Sequence, residues 1–475
     1  MKRSSLYVTL SAVAALSLGS CITPAYQRST SLPVAEQYST QQAEDSSSLA
    51  EMPWQEFFSD PRLCTLIDLA LSQNLDLLSA ESRIREAEAY YDQSLAAFFP
   101  SLNFGAQGDV ARPEATQRPT TGTPIYGAQL GFTAGWEIDI TGKLRSARKR
   151  ERAHLLQTKA AYGAAQTQLI AQVANLYYQL VATDAQLNVC QTTIETRKES
   201  LRTLQLQMNS AKANLLGVSQ AAAQLYYAQS LEPQLIAQRH ALESSLCVLL
   251  GETPHAIQRS TMLSIITVDN EPSTGYPAQL LARRPDVMQA EQALIAAHQG
   301  LNIARAQLYP SLNIQASLNM DLMDWVNLPT SIFGSVLGGL TQPIFAQGKL
   351  QAAKRGAEEQ RIQAEYAFLK ALLNAQSEVA DQLVLCDNTE QQAFYLTKQL
   401  GSLQIAAHSA MKLMKNGYAS YLDLLYAQEA LLGAEQQVIA AHLATAQAKI
   451  NLYRALGGGW DPTSVTPAIL PSEEY

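Results

Sequence analysis

The sequence predicts a mainly α-helical chain that also contributes strands to a membrane β-barrel, built from one α-β unit written twice. Three observations carry this. The first is repetition. Phe99-Pro100-Ser101-Leu102-Asn103 returns 210 positions later as Tyr309-Pro310-Ser311-Leu312-Asn313, and Gly142-Lys143-Leu144 returns as Gly348-Lys349-Leu350. Tyr227-Ala228-Gln229 returns as Tyr426-Ala427-Gln428, and Leu250-Gly251 as Leu456-Gly457. Marks in fixed order at long range are the signature of a duplicated supersecondary unit. The second observation is four stretches of period-two alternation, apolar on one side and polar on the other. The third is a pair of proline-free runs, Lys143 to about Asn209 and Lys349 to about Lys415. Each is long enough for a helix of about 100 Å.

Taken in order, the chain begins with Lys2 and Arg3, an apolar stretch from Leu6 to Leu18, and then Leu18-Gly19-Ser20-Cys21. A basic start, a short apolar core and small residues before a cut describe a signal peptide over 1–20, too short to span a bilayer. Cys21 directly after Leu-Gly-Ser resembles the bacterial lipobox, which implies N-palmitoyl and S-diacylglycerol groups on Cys21 and no other cofactor. Several acyl chains anchor durably where one does not. Ile22, in place of an aspartate, points to the outer membrane. Residues 22–50 are rich in Ser, Thr, Gln and Pro without periodicity, so 21–61 reads as an acylated N-terminus and tether.

The first repeat is expected over 62–251, with strands at about 101–110 and 126–140, and the second over 277–457, with strands at about 311–322 and 331–345. In 126–140, Tyr126, Ala128, Leu130, Phe132, Ala134, Trp136, Ile138 and Ile140 alternate with Gly, Gln, Thr, Glu and Asp. One apolar face and one wet face fit a lipid-facing barrel strand over an aqueous lumen, the alternative being a half-buried soluble sandwich. The strands come as two hairpins, with turns at 111–125 and 323–330. Open strand edges are forbidden in hydrocarbon, and four strands do not close, so the chain must oligomerise. Three copies give twelve strands. Shorter helices at 75–98 and 285–308 lead into the strands, and helices returning to Gly251 and Gly457 follow the long ones. Segments 252–276 and 458–475 stand at equivalent places, and an equatorial linker and tail are expected there.

Composition narrows the function. Without Lys2 and Arg3, the 34 basic residues become 32 against 42 acidic ones, a net of −10, which argues against nucleic acid as a partner. Charged residues are 16% and aromatics 7%, as suits closely packed helices with wet faces. The six histidines are scattered singly, and there is no phosphate loop, nucleophile elbow or paired-cysteine metal motif, so the chain reads as no enzyme. Met411 and Met414 are spaced as helix packing. Cys64, Cys190, Cys247 and Cys386 each sit in a helical pattern, where a cysteine is more often a small buried residue than half of a bridge.

The lipobox, the Pro-Ser-Leu strand starts, Arg283-Arg284-Pro285-Asp286, Tyr421-Leu422-Asp423-Leu424-Leu425-Tyr426-Ala427-Gln428 and Asn451-Leu452-Tyr453-Arg454-Ala455-Leu456-Gly457-Gly458-Gly459-Trp460 resemble outer-membrane efflux lipoproteins. These are the TolC-like outer membrane factors (NodT/OprM type) of tripartite RND pumps. The resemblance implies a homotrimer with a twelve-strand β-barrel in the outer-membrane lipid, continuous with a twelve-helix α-barrel tunnel and an equatorial belt. It implies partnership with a periplasmic adaptor (membrane fusion) protein and an inner-membrane RND transporter. The expected function is a passive exit duct for small molecules or drugs. Protein secretion, metal-ion efflux and a non-transporting envelope-spanning lipoprotein are the other readings. The family's aperture motif places Asp423 at its first acidic position, Tyr426 where a second acid is usual, and Glu429 where an arginine is frequent.

Overall fold

The structure, a computed structural model, describes residues 23–28, 49–111, 125–210, 214–260, 283–321 and 332–461. The signal peptide, Cys21, both hairpin turns and most of the 252–276 and 458–475 segments lie outside these residues. The chain divides into two compact units, one of residues 1–32, 83–158 and 289–369, the other of 33–82, 159–288 and 370–475.

The first unit holds the sheet. Its strands are β1 (Ser101–Ala111), β2 (Ile125–Ile138), β3 (Ser311–Asp321) and β4 (Ile332–Thr341). They form one antiparallel sheet in the order β1-β2-β3-β4, so the hairpins of the two repeats join through β2 and β3. Register decides which side chains share a face. Phe104, Phe132 and Leu318 lie in one row, and Ala134, Ala316 and Val336 in another. The Phe104 and Phe132 rings are 5.2 Å apart. The opposite face carries Asn103, Thr133, Ser317 and Ser335 in one row, with Ser317 and Ser335 hydroxyls 2.9 Å apart. Alternation within each strand thus becomes one apolar and one polar sheet face. Leu102, Phe104, Leu318, Val336 and Leu340 are exposed on the apolar face. β4 departs from the pattern, because Phe333 and Leu337 place apolar, exposed side chains on the polar side.

β2 and β4 end earlier than alternation suggests. β2 stops at Ile138 because Asp139 is drawn into capping the next helix. Its carboxylate accepts from the backbone N–H groups of Leu144 at 3.0 Å and Arg145 at 2.9 Å. β4 stops at Thr341, opposite Ser311, where Pro310 and Pro343 have no N–H to extend the ladder.

A short 3-10 turn (Leu49–Glu51) and eight α-helices carry most of the rest of the described chain: α1 (Trp54–Phe57), α2 (Pro61–Gln73), α3 (Leu75–Ala96), α4 (Lys143–Asn209), α5 (Leu215–Leu250), α6 (Pro285–Ala306), α7 (Lys349–Lys415) and α8 (Tyr421–Ala455). α4 and α7 are each 67 residues long. α3 and α6 stop two residues short of 98 and 308, in matched turns: Phe99 N–H to Ala96 O at 3.0 Å and Tyr309 N–H to Ala306 O at 3.1 Å. α2 was not anticipated. Pro61 starts it, and the Asp60 side chain caps the Arg62 N–H at 2.9 Å. α5 continues through Pro233, which leaves the Gln229 carbonyl without its helical donor.

The duplication is visible in geometry. α5 ends at Gly251 with φ +74, where an added Cβ would meet Gln73 O at 2.7 Å. α8 is followed by Gly457 with φ +90, where a Cβ would meet Arg283 O at 2.7 Å. Gln73 and Arg283 precede α3 and α6, so each repeat closes its return helix against the start of its lead-in helix. Only glycine accepts both the left-handed conformation and the close approach.

In the second unit, the Arg-Arg-Pro-Asp segment is tied down by ion pairs. The Arg284 guanidinium holds Asp286 at 2.9 and 2.7 Å, Glu378 at 2.7 Å and the Ala455 carbonyl at 2.9 Å. Arg454 pairs with the other oxygen of Glu378. Burial works against charge on Asp286, but the Arg284 guanidinium outweighs it and holds the carboxyl below its usual range. Tyr453 stacks on Phe57 with centroids 4.2 Å apart and donates to Met52 O at 2.7 Å. Cys64, Cys190, Cys247 and Cys386 are free thiols; burial pushes the Cys386 thiol up to about 12.

Candidate functional site

The sequence-derived site residues Asp423, Tyr426 and Glu429 all lie in the first turns of α8, just after the chain reverses. α7 ends where Tyr418 N–H reaches Leu413 O at 2.9 Å and Gly417 N–H reaches Met414 O at 3.0 Å, with Gly417 at φ +79. This is a Schellman ending. Three residues later Ser420 opens α8 with a capping box. Its hydroxyl accepts from Asp423 N–H at 3.3 Å, while the Asp423 carboxylate accepts from Ser420 N–H at 2.8 Å and from its hydroxyl at 2.7 Å. Leu424 and Leu425 turn inward, leaving Asp423, Tyr426 and Glu429 exposed. Tyr426 is 68% exposed. Asp423 hydrogen-bonds to Ser420 rather than to Tyr426 or Glu429.

The Ser420 hydroxyl and backbone N–H hold the Asp423 carboxyl below its usual range. Its ionised form therefore stabilises the first turn of α8 above about pH 4, the unfolded value, and that stabilisation is lost as pH falls through the lowered value. Amide exchange at Asp423 should show protection that drops between pH 5 and pH 2 in the native chain. Asp423→Asn should remove that drop, and a native profile that stays flat over this range would contradict the capping role.

Sequence reasoning missed Arg197 in α4. Cys190, Ile194, Arg197, Leu201 and Leu204 recur at spacings of four and three, the apolar seam of a helix pair. Cys190 and Ile194 pack with Leu225 and Ala228 of α5. Arg197 takes a seam position and is 4% exposed. Its Nη1 donates to the Gln224 carbonyl at 2.6 Å and to Gln224 Oε1 at 2.8 Å. Burial lowers its pKa, and the charge of Glu429 opposes that shift, so Glu429 lies within electrostatic reach of a buried cation. The available signal was a charge in an otherwise apolar heptad.

Among the described residues, no group of three or more His, Cys, Asp or Glu side chains is arranged to hold a metal ion. No described helix is long and apolar enough to cross a membrane.

Residues 66–252 and 276–458 match the family described as "Outer membrane efflux protein". The chain belongs to that family. It is 30% identical to the cation efflux system protein CusC of Escherichia coli O6:H1, over 94% of this chain and 97% of that protein. It is 32% identical to the probable efflux pump outer membrane protein TtgC of Pseudomonas putida, over 94% and 95%. A crystal structure of CusC superposes with a TM-score of 0.83 at 29% identity, covering 92% of this chain and 99% of that one. The four-stranded sheet matches one third of a TolC-type barrel. The chain is an outer-membrane channel of an efflux system, a passive export duct.

Proposed function

We propose that three copies of the chain close a twelve-strand barrel in the outer membrane and a twelve-helix tunnel through the periplasm, anchored by acyl chains on Cys21. The observation that carries this is the sheet. β1 and β4 each pair on one side only, so a four-stranded sheet with an exposed apolar face ends in two open edges. In hydrocarbon each unpaired backbone group costs several kcal/mol, and pairing β1 of one copy with β4 of the next removes both edges. In this reading 62–251 and 277–457 are the two repeats, 252–276 and 458–475 an equatorial belt, and 21–61 the acylated lead.

The energy for export comes from an inner-membrane RND transporter reached through a periplasmic adaptor. The cargo is small solutes, which accords with relatives named for cation efflux and for an efflux pump. Asp423, Tyr426 and Glu429 line the periplasmic aperture, supported by their exposure beside the α7–α8 turn. Tyr426→Ala should then raise the conductance of the purified assembly in planar bilayers, and Asp423→Asn should lower its cation preference. Conductance and selectivity equal to wild type in both variants would place the narrowest point elsewhere.

A further inference from the structure

We propose that Arg197 and the cavity it lines bind a small organic carboxylate. The cavity has a volume of about 440 Å³ and lies between α4, α7 and α8. That is within the range of small-molecule sites. Its wall combines apolar side chains such as Val189 and Leu431 with the polar groups of Arg197, His408, Gln428 and Glu435.

The ligand class follows from how Arg197 is used. Both of its hydrogen bonds leave through Nη1, so the fork formed by Nε and Nη2 has no protein acceptor among the described residues. That fork matches the two oxygens of a carboxylate. Elsewhere in this chain it does that work: Arg28 grips Glu291 through it, Arg259 grips Asp184, and Arg284 grips Asp286. Arg197 is as deeply buried as Arg284, at 4% against 6%, yet among the described residues no carboxylate ion-pairs with it, Glu429 acting on it only through its field.

The architecture does not require an arginine there. α4 and α7 are equal in length and offset by 206 positions, the spacing of Gly142 and Gly348, which puts Leu403 at the position of Arg197. The corresponding seam of α7 is Leu396, Leu400, Leu403, Ala407 and Ala410, apolar throughout. A buried guanidinium at a leucine position is costly without a counter-charge. A bound carboxylate supplies that charge. The site joins α4 of the first repeat to α7 and α8 of the second, and the inference stands independently of the cargo.

The test uses the assembled, detergent-purified protein and benzoate as probe, with benzamide as its neutral counterpart, read by titration calorimetry. Benzoate should bind saturably at one site per chain, with benzamide at least about tenfold weaker. Arg197→Leu, which installs the residue of the second repeat, should abolish benzoate binding. Gln428→Trp, which keeps the arginine and fills the cavity, should abolish it as well. Equal affinity for benzoate and benzamide, or benzoate binding unchanged in Arg197→Leu, would overturn the proposal. So would the absence of saturable binding to the wild-type assembly, which would mean that the fork is occupied by a carboxylate of a neighbouring copy or needs none.

Discussion

Replacing Arg284 with Met should lower stability by about 3 kcal/mol, because a buried guanidinium serves three partners and its loss strands them. Asp286 loses its bidentate partner, Glu378 keeps only Arg454, and the Ala455 carbonyl at the end of α8 loses its donor. The neighbouring Arg283 gives the internal control. Its pair with Glu51 is partly exposed, with side-chain exposures of 27% and 49%, so Arg283→Met should cost less than about 1 kcal/mol. Denaturant midpoints of the helical signal, measured on both variants in the same detergent, separate the two. Equal losses would mean that burial is not what gives the Arg284 cluster its strength.

A charge placed on the apolar row of the sheet should have an effect of similar size. Leu318 lies in the row of Phe104 and Phe132 and is 53% exposed, which fits a side chain facing lipid. Leu318→Arg should cost about 2–4 kcal/mol if that row sits near the bilayer midplane. Ser317→Arg, one residue away and on the polar face with Ser335, should leave folding intact and change only what passes over that face. Heat-stability of the assembled protein on gels reads both. If the two arginines are tolerated alike, the apolar row does not face lipid.

The contrast between these two predictions shows what the sequence could and could not convey. Period two and long proline-free runs are local, and repeated markers need only the chain compared with itself, so the strands, the 67-residue helices and the duplication are legible in it. Asp139 was read as the last polar residue of a strand because capping is settled by geometry two turns away, at Leu144 and Arg145. Asp423 carries two signals at once, the resemblance to an aperture motif and a Ser420 three residues upstream that makes a capping box with it. The Arg284 cluster joins residues 94 and 171 positions apart, which no spacing rule reaches. Ser, Thr, Gln and Pro without periodicity predict an extended tether after Cys21. Within it, residues 23–28 lie on α6, where Pro24 O accepts from His298 at 3.0 Å and Asn302 at 2.9 Å, and Arg28 pairs with Glu291; contacts across more than 260 positions have no local signal. Arg197 is the opposite case, because its signal is local: a charge in an otherwise apolar seam.

The claim on which the rest depends is that one chain supplies one third of a closed barrel. Native mass spectrometry of the detergent-solubilised protein tests it directly. The account predicts a dominant species of three chains, which pairs every β1 edge with a β4 edge. A dominant monomer or dimer, stable in detergent, would contradict it, because four or eight strands would then be satisfying edges that this arrangement leaves open.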